Sequence, residues 1–207
     1  MEVKERILAG AAELFMRYGC KSVTMDDIAR HLAVSKKTLY QFYKDKDEII
    51  TTFARHEFEC EKDCMQGIMA EAENAIDEVM RISRHIRQTF SKMNPVLLYE
   101  MQKYHVEAWQ VYADFRESAV SDHIRGNLER GIREGLYRDT IDVEILTRLR
   151  LELIQLAFDP RVFPPAQFSL VELQMQTMDL FIRGIATAQG LQVLDQYKTK
   201  YFTHLPS

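Results

Sequence analysis

The sequence predicts an all-α protein, and three observations lead to that prediction. The chain has only 8 glycines and 5 prolines in 207 residues, and proline is absent from residues 1–94. Apolar residues recur every three or four positions through most of the chain, which is the spacing of one helix face. Val, Ile and Thr never run in the strict alternation of a half-buried strand. We therefore expect a small amino-terminal helical domain over residues 1–46 and a larger helical domain over residues 47–207.

The first helix should begin near Val3 and end at Tyr18, where Gly19 supplies a carboxyl-terminal stop. Its apolar positions share one face and follow a helical period, and they are Ile7, Leu8, Ala11, Leu14 and Phe15. This helix is expected to support the two that follow it.

Two short helices are predicted between residues 24 and 46. Thr24 is a good N-cap, and Asp27 three positions later completes a capping box. Ser35 is a second N-cap, and the Ala33-Val34 step before it leaves room for a tight turn only. Two short helices joined in this way must cross steeply. That crossing is typical of a helix-turn-helix, whose second helix enters the major groove of DNA.

The second of these helices has a basic, hydrogen-bonding face and an apolar face. At 100° per residue the first face holds Lys36, Lys37, Tyr40, Gln41 and Lys44. The opposite face holds Leu39, Phe42 and Tyr43. Such a division suits a recognition helix, because lysine binds phosphates or guanine edges and glutamine binds adenine edges. The alternative is a solvated face of an ordinary bundle, which would need neither the two caps nor the short turn.

These motifs, in this order, resemble the DNA-binding domain of the TetR family of bacterial transcription regulators. The resemblance covers about residues 1–50 and rests on the apolar helix ending in Tyr18-Gly19 and on the segments T-M-D-D-I-A-R-H-L, V-S-K-K-T-L-Y and Y-K-D-K-D-E-I. It implies that DNA is contacted by Thr24, Lys36, Lys37, Thr38, Tyr40, Gln41 and Lys46. Ser35 and Lys44, on the same segment, complete the predicted DNA-binding set.

Two positions depart from the pattern of that family. Ala33 stands where many members have glycine, so a left-handed turn would cost more here or the turn would differ slightly. Phe42 stands where many members have a polar residue, and we expect it to pack. The later run Gly131-Ile132-Arg133-Glu134-Gly135-Leu136-Tyr137-Arg138 also resembles a segment common in the family.

The charge distribution favours a DNA partner at the amino-terminal end. The net charge is −4, yet residues 1–46 carry nine Lys/Arg and six Asp/Glu, a balance of +3, against −7 for the remainder. No signal peptide or membrane-spanning run is evident, and three cysteines in such a chain suggest a reducing compartment. We expect a cytoplasmic protein with no membrane association and no cofactor. The motifs of an enzyme are not found, so catalysis is not expected.

A long fourth helix should begin at Lys46, with Asp45 as its N-cap, and run past Cys64. A lysine at a helix amino terminus favours a bound anion, and a DNA phosphate is the expected partner of Lys46. His56, Cys60 and Cys64 share one face of this helix, which leaves open a thiol or metal sensor. Packing against the body of the protein is favoured, because the outer pair lies about 12 Å apart along the helix.

The middle of the chain suggests a pocket for a small molecule. A fifth helix is predicted over residues 71–91 and a long one over residues 96–134, which is rich in aromatic residues. In the family a pocket formed mainly by helices four to seven binds the effector, which is what the resemblance implies here. The predicted ligand-binding residues are Met65, Met69, Tyr99, Met101, Tyr104, Trp109, Tyr112 and Phe115. They suit a small apolar or aromatic effector, and the alternative is that they form a solid core.

The carboxyl-terminal part is expected to form a dimer. Asp142 should cap one helix, and another should follow the loop from Pro160 to Pro165. Each of these helices has two apolar stripes, so both of its sides must be covered, one of them by a second copy of the chain. The predicted interface residues are Leu149, Leu153, Leu156, Val171, Met175, Met178 and Ile182. Residues 189–201 should form a short closing helix and a frayed tail.

Together these expectations describe a homodimeric DNA-binding transcriptional regulator, in which the amino-terminal domain binds DNA and the carboxyl-terminal domain binds a ligand and dimerises. A repressor that leaves a palindromic double-stranded operator when a small effector binds is the leading interpretation. The alternatives are a DNA-binding regulator controlled by a partner without a small effector, and the thiol or metal sensor.

Overall fold

The computed structural model of the protein describes residues 2–202 and contains helices only. The helices are α1 (Val3–Tyr18), α2 (Met25–His31), α3 (Lys36–Phe42), α4 (Lys46–Glu71), α5 (Ala75–Phe90), α6 (Leu97–Tyr104), α7 (Val106–Phe115), α8 (Ser121–Arg133), α9 (Val143–Leu156), α10 (Leu170–Ile185) and α11 (Ala188–Phe202). A π-helical turn, Arg116–Val120, separates α7 from α8. Extended pairing within the described residues is confined to an isolated bridge between Tyr137 and Ala186. The predicted all-α class is therefore confirmed.

The helices group into two compact units, each made of two chain segments. The first unit comprises the described residues up to Glu61 together with Lys92–Phe115, and the second comprises Lys62–Ser91 together with the described residues from Arg116 onward. Helix α4 contributes its first part to one unit and its second part to the other. The predicted boundary at residue 46 separates a DNA-binding part from a ligand-binding part rather than two compact units, and it stays a prediction.

The core of the first unit is built where α1, α2, α3 and the start of α4 come together. Its fully buried side chains include Ile7, Phe15, Ile28, Leu39, Ile49 and Ile50. Phe15 and Phe53 meet edge to face, with ring centroids 5.6 Å apart. This apolar cluster holds the short helices α2 and α3, which are too short to be stable alone.

The core of the second unit forms around α5, which packs against α8, α10 and α11. Its buried members include Ile76, Met80, Leu128, Leu136, Tyr137, Ile182 and Leu194. The side chain of Asn127 bridges this core by donating to the carbonyl of Ala75 at 2.9 Å, and it accepts from the hydroxyl of Tyr137 at 3.1 Å.

Helix boundaries in the first 71 residues follow the predicted caps. α1 ends at Tyr18, and Gly19 has a positive φ of 81°. α4 begins at Lys46, where Asp45 Oδ1 accepts from the Glu48 N–H at 2.9 Å, and it runs past Cys64 to Glu71. Glu48 also accepts from the Lys44 N–H at 2.6 Å, so this carboxylate reaches back over the first turn of α4.

Two predicted helices differ from those observed. The helix expected over residues 71–91 starts only at Ala75, because α4 continues to Glu71 and Asn74 caps α5 by accepting from two backbone N–H groups. The long helix expected over residues 96–134 is interrupted at His105, where φ is −133° and ψ is 74°, and again by the π-helical turn. Apolar periodicity continues through both interruptions, so it does not reveal them.

The carboxyl-terminal segment is a packed helix within the described residues. Residues 189–201 were expected to be a short helix and a frayed tail, but they belong to α11, which runs to Phe202. Tyr197 donates to Glu73 at 2.8 Å, and Tyr201 donates to Asp77 at 2.7 Å. These two tyrosine hydroxyls fix the helix to residues at and just before the start of α5. Of the helices described, none has the length and apolar character needed to cross a membrane.

Candidate nucleic-acid interface

The amino terminus of α2 is closed by a reciprocal pair of hydrogen bonds. The Asp27 N–H donates to Thr24 Oγ1 at 3.2 Å, and Asp27 Oδ2 accepts from the Thr24 N–H at 2.9 Å. The Thr24 hydroxyl also donates to Asp27 Oδ2 at 2.6 Å, and these bonds hold the pKa of the Asp27 carboxyl below its usual value. The predicted capping box is confirmed. The Thr24 hydroxyl is therefore engaged in capping whatever its role toward DNA.

The turn between α2 and α3 takes the left-handed conformation expected for a glycine. Ala33 has a φ of 53°, and it is the one residue other than glycine with a positive φ in the described chain. A Cβ atom in that region costs about 1–2 kcal/mol relative to the right-handed one. The first of the two expectations for Ala33 is thus confirmed, because the turn keeps its shape despite the methyl group. The Val34 N–H closes the turn by donating to Ala29 O at 3.0 Å.

Ser35 begins α3 as the predicted N-cap. Its Oγ accepts from the Thr38 N–H at 3.0 Å, and the two hydroxyl groups of Ser35 and Thr38 lie 2.9 Å apart. Ser35 is exposed and Thr38 is half-buried. Both predicted contacts therefore lie at the start of α3, where the first backbone N–H groups of a helix favour a phosphate.

The two predicted faces of α3 are confirmed. The exposed residues of this segment are Ser35, Lys36, Lys37, Tyr40, Gln41 and Lys44. Leu39 and Tyr43 are buried and Phe42 is half-buried, so Phe42 packs as expected. The Tyr40 side chain is 52% exposed, and its hydroxyl is available to a partner outside the chain. A polar face of this kind, held on a capped helix, can reach phosphates and base edges.

Lys36 makes an ion pair that a phosphate could replace. Its Nζ lies 2.8 Å from Asp26 Oδ2, and that carboxylate raises the pKa of Lys36. Both side chains are about half exposed, so water screens the pair and it contributes little to stability. Asp26 orients Lys36 at the first turn of α3 without burying its ammonium.

The structure gives Lys46 a role that the sequence did not indicate. Its Nζ donates to the carbonyl oxygens of Cys20 and Val23, both at 2.9 Å. Two of its three donors are thereby used within the protein, so it is not the freely presented phosphate ligand that was expected. Its ammonium instead fixes the loop between α1 and α2 onto the start of α4. Burial raises the pKa of the adjacent Cys20 thiol to about 12, which leaves that thiol inert.

Residues of the α6 segment support the same loop, and the sequence did not reveal them. Glu100 Oε2 accepts from the Lys21 N–H at 2.9 Å, and a Cβ atom built on Gly19 would lie only 2.5 Å from that oxygen. The Asn94 N–H donates to Met16 O at 2.6 Å. These contacts join positions about eighty residues apart in the chain, so no local pattern could have predicted them.

His105 makes a further contact between α6 and the start of α4. Its Nδ1 lies 2.7 Å from Asp47 Oδ1, and the ring is 8% exposed. The residue sits at the interruption between α6 and α7, and the extended backbone there turns its ring toward α4. The polar contacts of Asn94, Glu100 and His105 thus all act on α1, on the loop that follows it and on the start of α4, which form the core of the first unit together with α2 and α3.

The predicted ligand-binding aromatic residues divide into two groups. Trp109 and Tyr112 pack with ring centroids 5.0 Å apart, and Phe58, which sequence reasoning missed, stacks on Phe115 at 5.1 Å and contacts Tyr112 at 5.4 Å. Tyr104 is instead 42% exposed, beside the ammonium groups of Lys21 and Lys103, whose hydrogen bonds lower its pKa. A position at the surface does not suit Tyr104 for an enclosed pocket.

The remaining predicted ligand residues differ in exposure. Met101 is 1% exposed and lies in the core of the first unit, whereas Tyr99 is half-buried. Met65 is 8% exposed and Met69 is 39% exposed, both on the part of α4 that belongs to the second unit. Their assignment to a ligand stays a prediction.

The cysteine and histidine residues of α4 contact different neighbours. Cys60 Sγ lies 3.9 Å from His56 Nδ1, and Cys64 Sγ lies 3.6 Å from Nδ1 of His85, a residue of α5. In the part of the chain that the structure describes, no three His, Cys, Asp or Glu side chains are grouped closely enough to hold a metal ion. The geometry therefore gives the metal-sensor alternative no support.

Helix α9 carries an exposed apolar stripe that continues on α10. Ile145, Leu149 and Leu156 of α9 are 64%, 47% and 42% exposed, and Leu180 of α10 is 72% exposed. The predicted interface residues Leu153, Val171, Met175 and Met178 are half-buried. Ile182 is a correction, because it is 2% exposed and belongs to the core of its own unit. Ile145 and Leu180 lie on the exposed stripe in its place, since the carboxyl-terminal half of α10 turns its other face inward.

Comparisons with known proteins agree with these observations. Residues 7–51 match the family model described as bacterial regulatory proteins, tetR family. The uncharacterised HTH-type transcriptional regulator YvaF of Bacillus subtilis (strain 168) is 27% identical over 187 residues, which are 87% of this chain and 94% of YvaF. The regulator FadR from Bacillus subtilis, solved in complex with stearoyl-CoA, has a TM-score of 0.64 at 18% identity, covering 87% of this chain and 98% of its own. A TetR family regulator from Agrobacterium tumefaciens has a TM-score of 0.71 at 15% identity, covering 89% and 97%. The family model covers the helix-turn-helix, and the similarity to YvaF extends over most of the chain. The structural matches show that the overall fold is shared.

Proposed function

We propose that this chain is a regulator of the TetR type, whose family model matches residues 7–51. In this proposal it is a homodimeric repressor whose release from a palindromic operator is controlled by a small molecule. It would act in the cytoplasm, where its DNA lies. The observation that carries the proposal is the polar face of α3, which is exposed while the opposite face is buried.

The polar face of α3 suggests how DNA would be bound. The lysines at its start and end would contact phosphates, while Tyr40 and Gln41 between them would reach a phosphate oxygen and a base edge. The caps at Thr24 and Ser35 fix the positions of α2 and α3, so the face is ordered before DNA arrives. Binding then avoids part of the entropic cost of ordering side chains and helices.

A dimer would place two such faces on one operator. The exposed apolar stripe of α9 and α10 is the surface that a second copy would cover, because water contacts it in the single chain. Two-fold symmetry of the protein requires two-fold symmetry of the operator, with half-sites one helical turn, about 34 Å, apart.

An effector would act by favouring a conformer whose recognition helices no longer match that spacing. The contacts that would transmit such a change are those of Glu100 with Lys21 and of His105 with Asp47, because both tie the α6–α7 segment to the helices that carry the DNA-binding face. The relative FadR was solved with stearoyl-CoA, so a chain of this fold accommodates a ligand with a long apolar part. The aromatic cluster of Phe58, Trp109, Tyr112 and Phe115 would suit an apolar body of this kind.

The DNA-binding face is tested by titrating the purified protein against the DNA beside its own gene, using fluorescence anisotropy at several salt concentrations. Lys37→Ala should weaken binding on every sequence and reduce the salt slope by about 1, as expected for one lost phosphate contact. Tyr40→Phe should also weaken binding, because its hydroxyl is exposed.

The matched control is Lys92→Ala, which removes an exposed lysine outside the helix-turn-helix and should leave affinity and salt slope unchanged. The three variants should unfold at the temperature of the unmodified protein. Equal affinities for Lys37→Ala, Tyr40→Phe and Lys92→Ala would contradict the assignment of α3 as the recognition helix.

A further inference from the structure

Buried polar side chains lie together on the facing sides of α9 and α10 in the second unit. Arg150 is 2% exposed, and Thr147, one turn earlier on the same side of α9, is fully buried. Gln174 of α10 is 1% exposed, and its Nε2 donates to the carbonyl of Ile154 in α9 at 3.2 Å. The hydroxyl of Thr177, one turn further along α10, accepts from Arg150 Nη1 at 3.4 Å. These four side chains therefore form one cluster between two helices.

Arg150 has no carboxylate partner in the part of the chain that the structure describes. Its guanidinium lies over the ring of Phe181, with its central carbon 5.9 Å from the ring centroid, and its Nη2 makes no hydrogen bond. Burial lowers the pKa of Arg150 to about 10, so the group still carries its charge at neutral pH. One long hydrogen bond and one ring contact do not offset the desolvation cost of a charge held in the interior.

Two neighbouring atoms are also left without partners. Thr147 Oγ1 and Gln174 Oε1 are buried and make no hydrogen bond. Buried polar atoms are nearly always satisfied in folded proteins, by the protein itself, by ordered water or by a bound ligand. Three unsatisfied atoms in one cluster, one of them cationic, point to a molecule that enters between α9 and α10.

Another buried charged cluster of this unit differs from Arg150 in holding both signs of charge, although Glu78 Oε1 and His123 Nδ1 in it also lack a hydrogen bond. Glu78 is 2% exposed, and it pairs with Arg130 at 3.2 Å and lies 3.5 Å from the ring of His123. The carboxylates of Glu78 and Glu134 compensate the charge of Arg130, whereas no carboxylate of the described residues lies beside Arg150. Unpaired buried charge is therefore what distinguishes Arg150 from Arg130.

We propose that Arg150 anchors the carboxylate group of a small, largely apolar molecule, with the Thr147 hydroxyl as a second donor to the same group. A planar guanidinium matches a carboxylate with two parallel hydrogen bonds. One buried positive charge compensates one negative charge, so a monoanion fits and a doubly charged phosphate would leave excess charge buried. Gln174 Oε1 would accept from a hydroxyl of the ligand or from a water bound with it.

The surroundings of the cluster favour an apolar body for this ligand. The ring of Phe181, which is 8% exposed, lies against the guanidinium of Arg150, and the next residue of α9, Leu151, is fully buried. This site lies in the second unit, whereas the aromatic cluster assigned to the effector under the proposed function lies in the first. Binding of a carboxylate at Arg150 does not depend on the proposed function. A regulatory effect of that binding would rest on it, and the two are tested separately.

The test measures binding by isothermal titration calorimetry in the absence of DNA. The probes are octanoate, decanoate and phenylacetate, the primary amides of the same three acids, and octyl phosphate. At least one carboxylate should bind, and it should bind roughly ten- to hundred-fold more tightly than its amide and more tightly than octyl phosphate, because only the carboxylate supplies the single charge.

Arg150→Met should abolish that preference, so that carboxylate and amide bind alike. The variant should be as heat-stable as the unmodified protein or more so, because an under-compensated buried charge has been replaced by an apolar chain. Arg148→Met, which removes a 62% exposed arginine from the same helix, should change neither binding nor stability. Arg150→Lys keeps the charge and should retain part of the preference.

Absence of binding by every carboxylate overturns the proposal, as does a carboxylate preference that persists in Arg150→Met or an octyl phosphate that binds more tightly than the carboxylates. If a carboxylate binds through Arg150 and operator affinity does not change, the site stands and its regulatory role fails. If operator binding occurs and no carboxylate is bound, the DNA-binding function stands and this site fails.

Discussion

At the scale of single residues, Lys46 shows how a motif position can serve the fold. Its ammonium donates to two carbonyl groups in the loop between α1 and α2, belonging to the buried residues Cys20 and Val23. The family resemblance implied a contact with DNA for this position, and such a contact stays a prediction. The internal hydrogen bonds add a separate consequence for stability.

Lys46→Met should lower the free energy of unfolding by about 1–3 kcal/mol, because the two carbonyl groups lose a charged donor while the aliphatic chain is kept. Lys44→Met is the matched control, since Lys44 is exposed on the DNA-binding face only two positions earlier. It should weaken DNA binding and leave stability unchanged. Urea denaturation followed by circular dichroism measures the stability of both variants. Equal midpoints for Lys46→Met and the unmodified protein would disprove that the Lys46 ammonium stabilises the α1–α2 loop.

At the scale of helices, local signals predicted well where several helices begin. Thr24, Ser35, Asp45 and Asp142 cap helices where expected, because a cap is decided by side chains within three or four residues. The exposed face of α3 followed from helical geometry alone. Features that depend on residues distant in the sequence could not be predicted from such local patterns.

The missed features share that dependence. The carboxyl-terminal helix α11 is fixed by tyrosine hydroxyl groups that bond to residues more than a hundred positions away in the sequence. Because its own sequence gives no sign of these bonds, the segment was predicted to be partly a frayed tail. The break at His105 depends on a partner at Asp47. In the sequence Arg150 is one of two arginines that alternate with leucines in α9, and only its burial distinguishes it from the exposed Arg148.

The α1–α2 loop allows a test of how α6 supports the DNA-binding helices. Gly19→Ala should lower the free energy of unfolding by about 2 kcal/mol or more. A side chain at a φ of 81° is strained, and its Cβ would also lie 2.5 Å from Glu100 Oε2. The same substitution in a Glu100→Ala background should cost less, because the steric conflict is removed and the backbone strain remains.

A double-mutant cycle of thermal or urea unfolding separates these two contributions. Ala12→Ser, a small change on a half-buried position of α1, controls for the general sensitivity of that helix. Strictly additive changes in the free energy of unfolding for Gly19→Ala and Glu100→Ala would show that Glu100 of α6 does not restrict the side chain at position 19.

At the scale of the whole molecule, the surface left exposed by one chain is as informative as its interior. The stripe of Ile145, Leu149, Leu156 and Leu180 places four large apolar side chains in water on two adjacent helices. The palindromic operator of the proposed function would need a second DNA-binding head. A dimer through this stripe would supply that head by a two-fold axis and would also cover the apolar surface.

Leu149→Glu should therefore convert the protein into a monomer. The substitution places a charge on the exposed stripe, and two-fold symmetry introduces it twice, so a loss of about 2 kcal/mol per site raises the dissociation constant of the dimer roughly a thousand-fold. Light scattering after size-exclusion chromatography measures the mass, and anisotropy should show weaker operator binding by the same variant. Val106→Glu, at an apolar position of α7 that is 76% exposed, is the control and should stay dimeric. A Leu149→Glu protein that keeps both its dimeric mass and its operator affinity would place the interface on another surface.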